Sequence, residues 1–132
     1  MSVVVLDSYS IIAYLEREPG FKVIARLFEE CMSKDQRALL CVVNWGEVLY
    51  HALAVSGEKM ARLAEEAMLS LPITLVAADQ ALTRQAAYLK ANHKMSYADC
   101  FAAALAIKEK GELLTGDKEF IQVQKRVKIR WL

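Results

Sequence analysis

The sequence predicts an α/β fold in which helices cover both faces of a central, mostly parallel sheet of four to five strands. Short apolar runs alternate with longer segments of helical periodicity, a pattern typical of parallel strands joined by helical crossovers. Glycine (5) and proline (2) are scarce and 55% of the 132 residues are hydrophobic, which excludes a collagen-like repeat and extensive disorder. No linker-like segment interrupts the sequence, so residues 1–132 are expected to form a single domain.

The first half of the chain predicts two strands, each followed by helices. Residues 3–6 are a continuous apolar run, short enough for a strand buried on both faces, and residues 39–43 are a second such run. Ser8 is expected to cap a helix that ends before a Pro-Gly pair, and apolar residues at i, i+3, i+4 and i+7 indicate another helix after it. Asn44 is expected to open a third helix, which a Ser-Gly pair ends.

The second half continues the alternation of helices and strands. The predicted strands are residues 73–76, 111–115 and 127–131, and the predicted helices are residues 58–69 and the segments opened by Asp79, Ser96 and Asp117. Helices between successive strands must pack on the faces of the sheet, so the expected architecture is a three-layer α/β/α sandwich.

Four of the 16 acidic residues occupy equivalent places in this predicted sheet. Asp7 ends the first strand, Glu47 lies one turn into the helix after the second strand, and Asp117 follows the strand that ends at residue 115. Asp99 lies one turn into the helix opened at residue 96. Strand carboxyl ends and the helix starts that follow them meet at one edge of an open α/β sheet, where ligands bind. The four acids are therefore expected to converge.

Helix capping is an alternative role for three of these acids. Asn44 and Glu47 have the spacing of a capping box, as do Ser96 and Asp99, and the acid before the last short helix stands at an N-cap position. Asp7 is harder to explain in this way. A carboxylate that closes a buried apolar run is costly unless it is paired or binds something.

A divalent cation is the counterion that this cluster predicts. Clustered carboxylates raise one another's pKa unless a positive charge offsets them. No Lys or Arg lies within two residues of Asp7, Glu47 or Asp99, and only Lys118 adjoins Asp117. Oxygen ligands favour Mg²⁺ or Mn²⁺ over zinc, and Mg²⁺ held by a few carboxylates usually also binds substrate phosphate. The site therefore predicts metal-dependent hydrolysis of a phosphodiester.

Four segments of the chain, taken with their order and spacing, match the motifs of one known family. They read VVVLDSYS at residues 3–10, VVNWGEVL at 42–49, SYADCFAAALA at 96–106 and LLTGDKEF at 113–120. With these motifs the chain resembles a PIN-domain ribonuclease of the VapC toxin type over essentially its whole length. The last two segments together are the most specific part of the match.

The resemblance implies a PIN-like domain whose four acids are both catalytic residues and ligands of Mg²⁺ or Mn²⁺: Asp7, Glu47, Asp99 and Asp117. It also implies endonucleolytic cleavage of single-stranded or loop RNA. A toxin of this type is expected to form a homodimer and to bind a cognate antitoxin, a segment of which plugs the acidic groove.

Supporting positions also carry over from the family. Ser8 and Thr115 match its polar positions and are expected to orient carboxylates or water. Asn44 departs from the family's usual Ser or Thr. The sequence leaves open whether one or two metal ions act, and Asp117 would then position water or a second ion.

Basic residues beside the site are candidates for RNA contact, because phosphate contacts supply most of the affinity for nucleic acid. The net charge is only +1, so local clusters must provide them. Lys118 is nearest the site in sequence, and Arg126, Lys128 and Arg130 would share one face of the last predicted strand. The alternative is that these C-terminal charges protect an edge strand from aggregation.

The leading hypothesis is therefore an endoribonuclease toxin, with two alternatives. One is a housekeeping RNA-processing nuclease with the same chemistry, and the other is a non-catalytic module that binds partners through its acidic groove. The three cysteines show no zinc or CxxC pattern and are expected to be reduced thiols in a cytoplasmic protein. The longest apolar stretches are too short to span a bilayer, so no membrane association is expected.

Overall fold

The computed structural model describes residues 2–132 and has alternating strands and helices. The strands are β1 (Ser2–Leu6), β2 (Gln36–Cys41), β3 (Ile73–Val76), β4 (Glu112–Thr115) and β5 (Ile129–Trp131). The α-helices are α1 (Ser8–Leu15), α2 (Phe21–Met32), α3 (Val42–Ser56), α4 (Glu58–Ser70), α5 (Gln80–Asn92) and α6 (Tyr97–Glu109), and a 3₁₀ helix spans Lys118–Val123.

The five strands form one sheet in the order β3-β2-β1-β4-β5, and every neighbouring pair is parallel. The chain adds strands on one side of β1 up to β3 and then crosses to the other side for β4 and β5. This reversal places a crevice between the carboxyl ends of β1 and β4, which is where α/β sheets of this kind bind ligands. The predicted α/β class with a mostly parallel sheet is confirmed.

Side chains of β1 alternate between two hydrophobic cores. Val5 packs with residues of α5, α6 and the 3₁₀ helix, whereas Val4 and Leu6 pack with residues of α1, α2, α3 and α4. All three are 0% exposed, which confirms a strand buried on both faces. Each such side chain stabilises the fold by about 1.5–3 kcal/mol through burial. The two cores make the predicted three layers.

The predicted start of α1 at a Ser8 cap is wrong. Asp7 is the N-cap residue, and its Oδ1 atom accepts the backbone N–H of Ser10 at 2.9 Å. Ser8 is instead the first residue of the helix. Aspartate and serine both cap helices well, so local sequence does not decide between neighbours of these two types.

The predicted start of α3 at Asn44 is also wrong. The helix begins at Val42, and β2 ends at Cys41 rather than at residue 43. Asn44 lies within the first turn, fully buried, and its Nδ2 atom donates to the carbonyl oxygen of Ala98 at 3.1 Å. This tertiary contact occupies the amide, so Asn44 and Glu47 do not form the predicted capping box.

Three other predicted caps are confirmed. Asp79, Ser96 and Asp117 each accept a backbone N–H from the first turn that follows, at 2.8, 3.1 and 2.9 Å. Each cap satisfies one of the N–H groups that a helix start leaves without a partner, which is worth about 1 kcal/mol. The Ser96 cap binds the backbone N–H of Asp99, and the Asp117 cap binds that of Glu119.

The last strand is shorter than predicted. The 3₁₀ segment continues with a turn in which the backbone N–H groups of Arg126 and Val127 bond to the carbonyl oxygen of Val123. Only the segment Ile129–Trp131 pairs with β4. Of the three C-terminal basic residues expected on one strand face, only Arg130 lies in the strand. Within residues 2–132, no helix combines the length and the hydropathy that crossing a membrane requires.

Candidate active site

Asp7 lies at the crevice between β1 and β4 and is 1% exposed. Its Oδ2 atom accepts the Thr115 hydroxyl at 2.5 Å, and its Oδ1 atom accepts the backbone N–H of Ser10 at 2.9 Å. The Ser10 hydroxyl is 2.9 Å from the same Oδ1 atom and 2.5 Å from the carbonyl oxygen of Leu114. These contacts hold the carboxylate in one orientation at the end of the central strand.

Thr115 connects Asp7 to the next acid along this edge. While its hydroxyl donates to Asp7, the same oxygen accepts the backbone N–H of Asp117 at 3.0 Å. Asp117 is half-buried and caps the 3₁₀ helix through the N–H of Glu119. The side chain of Thr115 therefore fixes the spacing between two carboxylate-bearing segments, and it is itself fully buried.

Asp99 reaches the same place from the first turn of α6. It is 7% exposed, and its carboxylate oxygen lies within 4.8 Å of carboxylate oxygens of Asp117 and Glu119. Sequence reasoning missed Glu119, which is exposed and carries no sign of a buried charge. The one sequence feature that could have indicated it is its position two residues after Asp117, at the start of a short helix.

Glu47 enters the site from α3, where it is half-buried. Its Oε1 atom accepts the Ser8 hydroxyl at 2.8 Å, so Ser8 contacts a different acid from the one it follows in sequence. Asn44 lies one turn earlier on α3. Its Oδ1 atom is buried and has no hydrogen-bond partner among residues 2–132.

Burial and mutual repulsion raise the pKa of two of these acids. Burial raises the pKa of Asp7 to about 6, although hydrogen bonds from Thr115 and Ser10 oppose the shift. Burial, together with the charges of Asp117, Asp7 and Glu47, raises the pKa of Asp99 to about 7. The structure thus brings the four sequence-predicted acids within electrostatic reach of one another.

The donors at this edge fit a divalent cation. They are oxygen atoms of carboxylates at the N-cap of α1, in α3, in α6 and at the N-cap of the 3₁₀ helix, the ligand type that Mg²⁺ and Mn²⁺ prefer. Two of the carboxylates are buried at a cost that a positive charge would remove.

Two of the basic residues expected to contact RNA are engaged away from the acids. Arg130 Nη2 lies 3.1 Å from Glu112 Oε1, and Lys128 Nζ lies 3.9 Å from Glu112 Oε2. Glu112 begins β4 and Thr115 ends it, so the two are separated by about 10 Å along the strand. This geometry favours a structural role for Arg130, whereas Lys128 is 80% exposed and only at the margin of the same ion pair.

The other two basic candidates lie on different surfaces. Arg126 is exposed and borders a surface pocket with Tyr88 and Ile107, near the far end of α6 from Asp99. Lys118 is exposed and directly follows Asp117. Of the four basic residues, Lys118 therefore stays adjacent to the acidic edge.

Comparison with known proteins identifies the family. Residues 4–126 match the family model of the PIN domain. The chain therefore belongs to the PIN domain family, as its motifs indicated. No relative is found among curated proteins.

Solved structures with the same fold come from toxin–antitoxin systems. DNA-bound VapBC from Salmonella typhimurium is 18% identical, with a TM-score of 0.79 and coverage of 98% of each chain. VapBC2 from Rickettsia felis, bound to a DNA fragment from its promoter, is 12% identical, with a TM-score of 0.78 and 98% coverage of each chain. VapC20 from Mycobacterium tuberculosis, a toxin that cleaves the sarcin-ricin loop, is 18% identical, with a TM-score of 0.73 and coverage of 91% and 94%. At these identities the similarity establishes the fold.

Proposed function

We propose that this protein is a metal-dependent endoribonuclease that hydrolyses phosphodiester bonds in single-stranded or loop RNA. One observation carries the proposal. Acids from four separate elements meet where the order of the strands reverses, and two of them are buried with a raised pKa. A protein that only capped its helices would have no reason to bury two charges beside two more. Residues 1–132 are taken to act as a single PIN-like domain.

The acids and their neighbours have distinct tasks in this proposal. Asp7, Glu47 and Asp99 hold the ion directly or through water, and Asp117 positions water or a second ion. A bound Mg²⁺ or Mn²⁺ supplies charge that polarises a phosphate and makes water more acidic. Thr115 orients two of the acids through its bonds to Asp7 and Asp117.

Ser8 and Glu119 complete the site in this proposal. Ser8 holds the Glu47 carboxylate through a hydrogen bond of 2.8 Å, which limits its rotation. Glu119 is an additional acid within reach of an ion at Asp99 and Asp117. Its exposure makes it suited to contact that ion through water rather than directly.

The protein is further proposed to be the toxin of a toxin–antitoxin pair. The similar Salmonella and Rickettsia structures are VapBC assemblies, and the Mycobacterium protein is a toxin. A groove between α1, α3 and α4 is lined largely by apolar side chains, which suits an amphipathic helix of an antitoxin. The lining includes Ile12, Leu15, Val48, Ala52, Met60 and Leu63.

Two further features belong to the toxin proposal. A homodimer is expected from the resemblance to VapC, and native mass spectrometry would test it. A cytoplasmic location agrees with the three cysteines, which are free thiols at residues 31, 41 and 100.

Cleavage of a mixed pool of structured RNA tests the nuclease directly. The wild type is assayed with Mg²⁺, with Mn²⁺ and with EDTA, beside Asp99→Asn and the control Asp79→Asn, which alters a capping acid of α5. We expect cleavage by the wild type and by Asp79→Asn with either metal, and none with EDTA or with Asp99→Asn. An amide at position 99 brings no negative charge to the ion. Equal background in every arm would contradict the proposal.

A further inference from the structure

The ring of Tyr9 rests on the backbone of the acidic edge. Tyr9 lies in the first turn of α1, two residues after Asp7. A Cβ atom at Gly116 would lie 2.3 Å from Tyr9 Cε1 and 2.7 Å from Tyr9 Cζ, far closer than van der Waals contact allows. Gly116 separates Thr115 from Asp117. The glycine thus leaves room for an aromatic ring directly beside the turn that carries Asp117.

This ring is fixed and yet accessible. The Tyr9 side chain is 48% exposed even though it contacts Gly116. An aromatic ring stabilises a fold mainly through the area that it buries. A placement that leaves Tyr9 about half exposed, beside the residue that precedes Asp117, is therefore better explained by a ligand than by packing.

We propose that the Tyr9 ring stacks on a nucleobase of the RNA beside the scissile phosphate. The inference rests on the proposed nuclease function, which brings a phosphate to the acids that flank this ring. Proteins recognise unpaired RNA bases largely by stacking them on aromatic side chains. Such stacking tolerates any base, because every base has a π-face. Tyr9 would thus select unstacked nucleotides at this position rather than a particular sequence.

Stacking on a base requires both the aromatic ring and its position. One kind of variant therefore removes the ring, and another displaces it. Tyr9→Phe keeps the ring, whereas Tyr9→Ala removes it. Gly116→Ala keeps the ring but moves it, because the added Cβ would overlap Cε1. Tyr88→Ala is the matched control, since Tyr88 is 64% exposed on α5 and borders the pocket at the far end of α6.

Single-turnover cleavage of a labelled single-stranded RNA in Mg²⁺ measures the effect. We expect Tyr9→Ala to weaken the apparent RNA affinity by about 5- to 150-fold, the loss that one base–aromatic stack gives. Gly116→Ala should weaken it in the same direction, while Tyr9→Phe and Tyr88→Ala keep the wild-type value. Circular dichroism of each variant checks that it remains folded.

An RNA series with one abasic nucleotide at each position near the cleavage site separates stacking from a structural role. At one position the missing base should weaken binding by the wild type as much as Tyr9→Ala does, and should cost Tyr9→Ala nothing more. Additive losses at every position would assign Tyr9 a structural role and overturn the inference. Wild-type affinity in Tyr9→Ala would also overturn it and leave the nuclease intact. Absence of metal-dependent cleavage by the wild type would overturn the proposed function, and this inference with it.

Discussion

Asp7 and Asp99 are buried carboxylates whose charged forms are disfavoured in the fold. Burial is the main reason that the pKa of Asp7 rises to about 6 and that of Asp99 to about 7. Asp7 is partly compensated by three hydrogen bonds from Thr115 and Ser10. For Asp99, the negative charges of three neighbouring acids raise the pKa as well. Individual residues at this edge are thus destabilising for the metal-free chain, which is typical of functional sites.

The stability of the metal-free protein should therefore fall as the pH rises from about 4 to about 7. In this window the folded state binds more protons than the unfolded chain, because both acids have a raised pKa relative to the ordinary value of 3.8. Urea unfolding at several pH values in EDTA measures the slope. Asp99→Asn should flatten it in the upper part of the window. An unchanged slope in that variant would contradict the assignment of this titration to Asp99.

The N-terminal ends of the helices build the site, and the sequence predicted some of them correctly and others wrongly. The caps at Asp79, Ser96 and Asp117 follow from local spacing, because each bonds to an N–H two or three residues later. The start of α3 does not follow from local spacing, because the Asn44 amide donates to the carbonyl oxygen of Ala98, 54 residues away. A contact of that kind depends on how the helices pack and leaves no local trace in the sequence.

The cap of α6 gives a prediction at this scale. Ser96→Ala removes the bond from the Asp99 backbone N–H and should lower the free energy of unfolding by about 1 kcal/mol. Ser70→Ala is the control, since its hydroxyl bonds only to an exposed carbonyl near the end of α4. Denaturant unfolding measures both. Equal effects in the two variants would show that the cap contributes nothing specific.

For the whole molecule, the sequence predicted the α/β class and the convergence of Asp7, Glu47 and Asp117, because each follows a strand of a parallel sheet. The same rule does not cover Asp99, since α6 follows α5 rather than a strand. The positions of the basic residues relative to the site did not follow from the sequence. Whether a basic side chain points to the site depends on its ion pairs, such as that of Arg130 with Glu112. Such pairs are decided by the three-dimensional packing and not by the local sequence.

The exposed position of Lys118 directly after Asp117 predicts an RNA contact. Lys118→Ala should weaken RNA binding and reduce the slope of log affinity against log salt by about 0.7, the value for one phosphate contact on a single strand. Lys128→Ala, which alters a residue paired with Glu112, should leave both unchanged. Fluorescence anisotropy with Asp99→Asn as the background measures binding without cleavage. The reverse ranking of the two variants would move the RNA path to the C-terminal residues.

Calorimetric titration of the protein with Mn²⁺ is the most direct test, because it needs no knowledge of the RNA. The wild type and Asp79→Asn should bind the ion alike, and Asp99→Asn should bind it at least about tenfold more weakly, since it removes a charged oxygen ligand. Binding that is equal in all three proteins, or absent from the wild type, would contradict a metal site at Asp7, Glu47, Asp99 and Asp117.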